Sequence, residues 1–188
     1  GNTALRIREK IAILDPVHDD VRLTILPSYL CPSETAEPLW KLDKEDGSGE
    51  LCELARSNYV GNFGTGEIED DPSHGNGVFF HNSRVTFKHV TDGLSKTLLV
   101  GERSSLHGGS TWLGMLAEGG EAMARIVAAG DHAPTRPDGH LDDFAGVHSG
   151  ITLFVRCDGS VDAVSNDIEE TVFQAQCTRA GNEIVVGG

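Results

Sequence analysis

Ile151-Thr152-Leu153-Phe154-Val155-Arg156-Cys157-Asp158-Gly159-Ser160-Val161-Asp162-Ala163-Val164 reads as a β-hairpin. Ile151, Leu153, Val155 and Cys157 alternate with Thr152, Phe154 and Arg156, the period of a strand with one apolar face. Asp158-Gly159 supplies the two residues that tolerate positive φ at a tight turn. A two-residue turn sets Cys157 opposite Ser160 and Thr152 opposite Ser165. It also puts Asp162 on the apolar face beside Val155, a conflict that calls for a bulge or another register.

Working outward, Asn166 is placed to cap a helix with Asp167, Glu169 and Glu170 in its first turn, where acids complement the helix dipole. Gly181 is the expected stop. Ile168, Val172, Phe173 and Cys177 share one side of this helix, and packing it on the apolar strand face brings Cys157 toward Cys177. His148, upstream of the hairpin, is expected near Asn166 and Asp167, tying strand entry to helix entry by hydrogen bonds. Ten extended residues at about 3.3 Å each separate it from Asp158, so the two form no acid–base pair.

Toward the N-terminus the pattern predicts a short helix from Thr3 to Leu14 and an apolar, β-branched segment from Val21 to Leu26. Pro27 and Cys31-Pro32-Ser33 break the chain. Residues 33–57 read as a surface excursion with a tip at 41–50, and 58–66 as turn-rich loop. Short strands are expected at 78–80, 85–87 and 97–101, and a further one at 111–115. Residues 121–129 suit helix or strand equally. The order predicts an α+β fold, a single domain over 1–188 with an antiparallel sheet, short helices and long loops.

Fifteen Lys and Arg against 29 Asp and Glu leave a formal charge of −14. A nucleic-acid groove or polybasic membrane surface needs the opposite balance, so neither is expected. No apolar run reaches the roughly 18 residues of a spanning helix, and no signal peptide opens the sequence, which reads as soluble.

Cys31, Cys52, Cys157 and Cys177 form no C-x-x-C pair. Their even number is compatible with two disulfides, and sequential pairing closes two loops of about 20 residues, each worth about 3 kcal/mol. Four buried thiols is the competing reading. Oxidation would imply export.

No Gly-x-Ser-x-Gly elbow, phosphate-binding glycine loop or His-Glu-x-x-His is present. Glu67, Glu69, Asp70 and Asp71 are candidate Ca²⁺ ligands, with Asp138, Asp142 and Asp143 as a second acidic group, but Val78 stands where an EF-hand loop starting at Glu67 needs its bidentate Glu. A solvated acidic loop is the plainer reading. No catalytic constellation emerges, so no enzyme activity and no cofactor are assigned. The alternatives are an exported Ca²⁺- or carbohydrate-binding domain using these loops with Trp40 or Trp112, and a metal-dependent hydrolase assembled from scattered His and Asp.

Six strings in order carry a family resemblance. They are Tyr29-Leu30-Cys31-Pro32-Ser33, Asn58-Tyr59-Val60-Gly61-Asn62, Gly77-Val78-Phe79-Phe80, the run from Thr91-Asp92-Gly93 through Gly101-Glu102-Arg103, His148 followed after nine residues by Asp158-Gly159, and Thr178-Arg179-Ala180-Gly181-Asn182-Glu183. Over residues 25–186 the chain resembles the planctomycete pseudopilin-like exported proteins, a domain of unknown function similar to type II secretion pseudopilins and type IV pilins. Lys96 and Cys157 depart from that pattern, and Cys157 adds to the case for a bridge to Cys177. The resemblance implies a noncatalytic extracytoplasmic head of a cell-surface filament or secretion apparatus. Its partners would be proteins, copies of itself included. Membrane attachment would come only through an N-terminal apolar helix that the sequence in hand lacks.

Overall fold

The computed structural model describes residues 6–8 and 10–182. The hairpin is present as β6 (Ile151–Arg156) and β7 (Val161–Ser165), in the register Ile151 to Ser165 and Phe154 to Asp162. This is one residue away from a two-residue turn. Cys157, Asp158 and Gly159 form a three-residue loop closed by the Arg156 N–H donating to the Ser160 carbonyl at 2.8 Å. Gly159 sits at φ +86°, the left-handed position such a loop needs. Asp158 accepts from the Ser160 N–H at 2.9 Å and hydroxyl at 2.6 Å, bonds that hold its carboxyl below the ordinary range.

The buried face of the hairpin is the opposite of the one the alternation suggests. Thr152, Phe154 and Val164 turn inward, whereas Ile151, Leu153 and Val155 are half-buried on the other side. Phe154 decides this, because its ring packs edge-on against Phe144 at 5.0 Å and Phe173 at 5.7 Å. In the new register Asp162 lies opposite Phe154, and its carboxylate is satisfied by an ion pair with Arg156 at 2.5 Å.

The main sheet has the order β5-β3-β4-β6-β7, with β3 Tyr59–Gly64, β4 Leu98–Glu102 and β5 Val127–Ala129. Its pairings are antiparallel except β3 with β5, which is parallel. A separate hairpin joins β1 (Leu39–Asp43) to β2 (Glu50–Ala55). The architecture is therefore α+β with a mostly antiparallel sheet. Among the described residues no helix is long and apolar enough to cross a membrane.

The terminal helix α2 spans Glu170–Cys177, shorter than expected. Glu169, not Asn166, caps it by accepting from the Val172 N–H at 3.1 Å, and the chain leaves the helix at Thr178, before Gly181. Phe173 and Cys177 join Val60, Leu98, Ala128, Phe144, Phe154 and Val164 in the central core, with Ile168 against it. A second cluster gathers Phe63, Ile68, Met123 and Leu141, and a third lies under the β1–β2 hairpin around Leu42, Leu54 and Leu116.

Several local expectations are corrected. The predicted helix from Thr3 to Leu14 lies partly outside the described residues, and 10–14 are turn and bend. Buried His18 holds this segment instead, its ring accepting the Arg8 N–H at 3.0 Å and contacting the Ala12 carbonyl at 3.0 Å. Residues 21–26 hold the end of α1 (Asp19–Arg22) rather than a strand. The excursion at 33–57 contains β1 and β2, and the expected loop at 58–66 contains β3. The expected strands at 78–80 and 85–87 are irregular, with a 3-10 turn at Phe87–His89. Thr111 makes only an isolated bridge to Arg56. In the ambiguous segment, Glu121 at φ +53° is incompatible with helix and the chain reaches β5 through turns.

Candidate functional site

Asn58, immediately before β3, gathers three segments. Its side-chain oxygen accepts from the Cys31 N–H at 3.0 Å, its amide donates to the Arg103 carbonyl at 3.2 Å, and its own backbone N–H donates to the Tyr29 carbonyl at 2.8 Å. The Cys31 turn is thereby held against the end of β4. Glu34 closes the same corner, accepting from the Ser105 N–H at 2.9 Å and hydroxyl at 3.1 Å. Burial pushes its carboxyl up, but the bonds from Ser105, Ala36 and Thr35 outweigh that and hold it below the ordinary range.

At that end of β4 stand two buried charged residues. Arg103 is enclosed and donates to the carbonyls of Ala124, Val127 and Asp142 at 2.7, 3.1 and 3.2 Å. Burial pushes its guanidinium down to about 10, against the opposing pull of Asp142 and Asp143. Glu102 accepts from the Leu153 N–H at 2.8 Å through Oε2. Its other oxygen, Oε1, is buried and accepts no hydrogen bond. Gly146 leaves room for the carboxylate, since a Cβ there would sit 2.8 Å from Oε2.

His148 lies in the turn before β6, with its side chain 29% exposed. Its Nε2 is 3.2 Å from Glu102 Oε1 and 3.6 Å from Cys31 Sγ. The His148 ring therefore faces Glu102 and Cys31, and the hydrogen bonds expected of it at the start of the helix are made by its near neighbours. Asn166 instead takes the Thr152 hydroxyl at 2.8 Å and donates its N–H to the Gly150 carbonyl at 2.9 Å, so Thr152 and Gly150 tie strand entry to helix entry. Beside this group, burial first, and then Cys31 and Glu102, push the Tyr59 phenol up.

Among the described residues two groups of three side chains present ligand atoms within 4.8 Å of one another: Cys31, Glu102 and His148, and His132, His140 and Asp143. In the second, Asp143 is already engaged, with Oδ1 3.0 Å from His132 Nδ1 and Oδ2 accepting from the His140 N–H at 3.0 Å. The acidic loop converges on neither group. Glu69 accepts from the backbone of Met123 and Ala124, Asp71 contacts His74 at 2.7 Å, and Glu67 and Asp70 join no such group. Asp138 is held by Arg136.

All four cysteines are free thiols, which corrects the expected bridges. Cys177 is enclosed with Phe173, while Cys157 lines a groove with Phe79, Phe87 and Leu99. The sheet stands between them, because α2 packs on the Phe154 face and not on the Val155 face. Burial raises the thiols of Cys52, Cys157 and Cys177.

Of the two tryptophans, Trp40 donates to the Ser110 carbonyl at 3.1 Å under the Arg125 guanidinium, and Trp112 lies 6.3 Å from Tyr29 at a second apolar groove. Sequence reasoning named Cys31 and His148 for other roles and missed Glu102 as their neighbour. A Glu between Gly101 and Arg103 at the end of an apolar strand was the available signal.

Fold and site together define an α+β protein in which one end of the central strands is stitched to the loops by buried polar side chains. The model of a family described as a protein of unknown function (DUF1559) matches residues 1–171, and the chain belongs to that family. No curated protein and no solved structure matches it.

Proposed function

We propose that the chain is a noncatalytic extracytoplasmic head domain, a pseudopilin-like subunit of a cell-surface filament or secretion apparatus that works through protein contacts. The observation that carries this reading is the unequal covering of the two sheet faces. Helix α2 closes the face of Val60, Leu98 and Phe154. The other face carries adjoining apolar grooves lined by Tyr29, Tyr59, Phe79, Val100 and Leu99, with Phe87 71% exposed at the margin. Apolar aromatic surface with few charges suits a neighbouring subunit better than a polar ligand.

Parts of the recognised sequence strings serve the scaffold, which suits the same reading. Asn62 donates to the carbonyls of Leu98 and Cys177, Arg179 to those of Gly75 and Gly77, and Asp92 accepts from the N–H groups of Gly181 and Asn182.

The test is the upstream coding sequence together with fractionation of the native host. A Gly-Phe-Thr-Leu-x-Glu site followed by about 20 apolar residues, with the protein in the envelope or in sheared surface filaments, is expected. Phe87→Glu should abolish that assembly and leave the fold intact. An initiator codon directly before residue 1 with the protein in the cytosol would overturn the proposal.

A further inference from the structure

We propose that Cys31, Glu102 and His148 form a binding site for Zn²⁺, with a fourth position open to solvent. Zinc takes thiolate at about 2.3 Å and imidazole or carboxylate at about 2.0–2.1 Å in tetrahedral geometry. Those lengths place adjacent sulfur and nitrogen ligands about 3.6 Å apart, and nitrogen and oxygen ligands about 3.3 Å apart. The observed separations are 3.6 Å for Cys31 Sγ to His148 Nε2 and 3.2 Å for His148 Nε2 to Glu102 Oε1. Cys31 Sγ and Glu102 Oε1 complete the triangle within 4.8 Å.

Glu102 supplies an independent reason. The residue is 2% exposed, yet Oε1 has no hydrogen bond and is aimed at the other two ligands. Its charged neighbour is the His148 ring at 3.2 Å, which balances the carboxylate only when protonated, and a divalent cation between the three side chains would satisfy the oxygen with the imidazole neutral. Oε2 is fixed by the Leu153 N–H and the Cys31 backbone by Asn58, the kind of outer support that orients metal ligands.

The same geometry argues against a cysteine–histidine–carboxylate relay. In such a relay the nucleophile and the orienting acid occupy different ring nitrogens. Here both approach Nε2, the arrangement of ligands converging on one point. A thiol, an imidazole and a single carboxylate also select against Ca²⁺ and Mg²⁺, which take oxygen ligands. The partial exposure of His148 puts the fourth position within reach of water.

Cobalt titration of the chelator-stripped protein tests the site. One equivalent of Co²⁺ should produce thiolate-to-cobalt charge-transfer absorption together with the intense visible bands of a tetrahedral site, and Zn²⁺ should displace them. Zn²⁺ should also raise the melting temperature by mass action. Cys31→Ser, close in size to the native residue, should abolish the charge-transfer band with the fold retained by circular dichroism. His148→Gln should weaken Zn²⁺ at least tenfold, and Asp143→Asn, in the other cluster, should leave the titration unchanged. Absence of cobalt absorption, or a spectrum that survives Cys31→Ser and disappears with Asp143→Asn, would overturn the assignment. Neither outcome depends on assembly into filaments.

Discussion

A Cβ on Gly101 would lie 2.4 Å from the ring of Phe154. It would also lie 2.5 Å from Phe144, so the missing side chain of Gly101 is what lets three aromatic rings close over the sheet. Gly101→Ala should destabilise the protein by about 3 kcal/mol, the upper end of ordinary overpacking. Chemical denaturation would measure this as a lower midpoint with an unchanged slope.

Asn62 joins β4 to the end of α2, donating to the Leu98 carbonyl at 2.7 Å and the Cys177 carbonyl at 2.8 Å from a fully buried position. Asn62→Leu leaves both carbonyls and the Gly64 N–H without this partner. The expected cost is about 3 kcal/mol, a fall of about 10 °C in melting temperature for a chain of this size. A shift below about 2 °C by calorimetry would contradict the bridging role.

The corner at Glu34 makes stability sensitive to acid. Its carboxyl titrates below the ordinary value of 4.5 when folded, so the unfolded chain binds the proton first and stability rises with pH through that interval. The contribution is present above about pH 4.5 and is lost as pH falls through the lower folded value. Glu34→Gln should flatten this part of the stability profile, measured by urea melts between pH 3 and pH 6.

Free thiols at all four cysteines predict that a reductant leaves the melting temperature unchanged. A thiol-reactive disulfide reagent should titrate four groups in denaturant. In the native protein Cys177 should react slowest, since burial disfavours its thiolate and Phe173 covers it. Titration of two groups or none in denaturant, restored to four by reductant, would show bridges instead.

The hairpin and terminal helix were legible because their signals are local: Asp158-Gly159 at the turn and acids at the start of a helix. The strand face was misread because β6 is apolar on both sides, and alternation cannot say which side meets a helix. Phe154, opposite the more continuous apolar row, is nevertheless the larger group, and three-ring packing with Phe144 and Phe173 outweighs the row. The β1–β2 hairpin and β3 were hidden by Gly, Asn and charged residues, whose turn preferences are overridden by pairing to distant strands. At the candidate site Cys31 and His148 were visible, but neither their approach nor the role of Glu102 was, since 117 residues separate the cysteine from the histidine.

Composition and local pattern determined the class: an acidic α+β chain with a hairpin near its end and no recognised catalytic motif. Tertiary structure alone decided which face of that hairpin is buried, why Cys157 and Cys177 stay apart, and that Cys31, Glu102 and His148 meet. The division is physical. Turns and caps are settled by neighbours within a few residues, whereas a convergent site depends on how Asn58 and the aromatic core bring together segments that share no local signal.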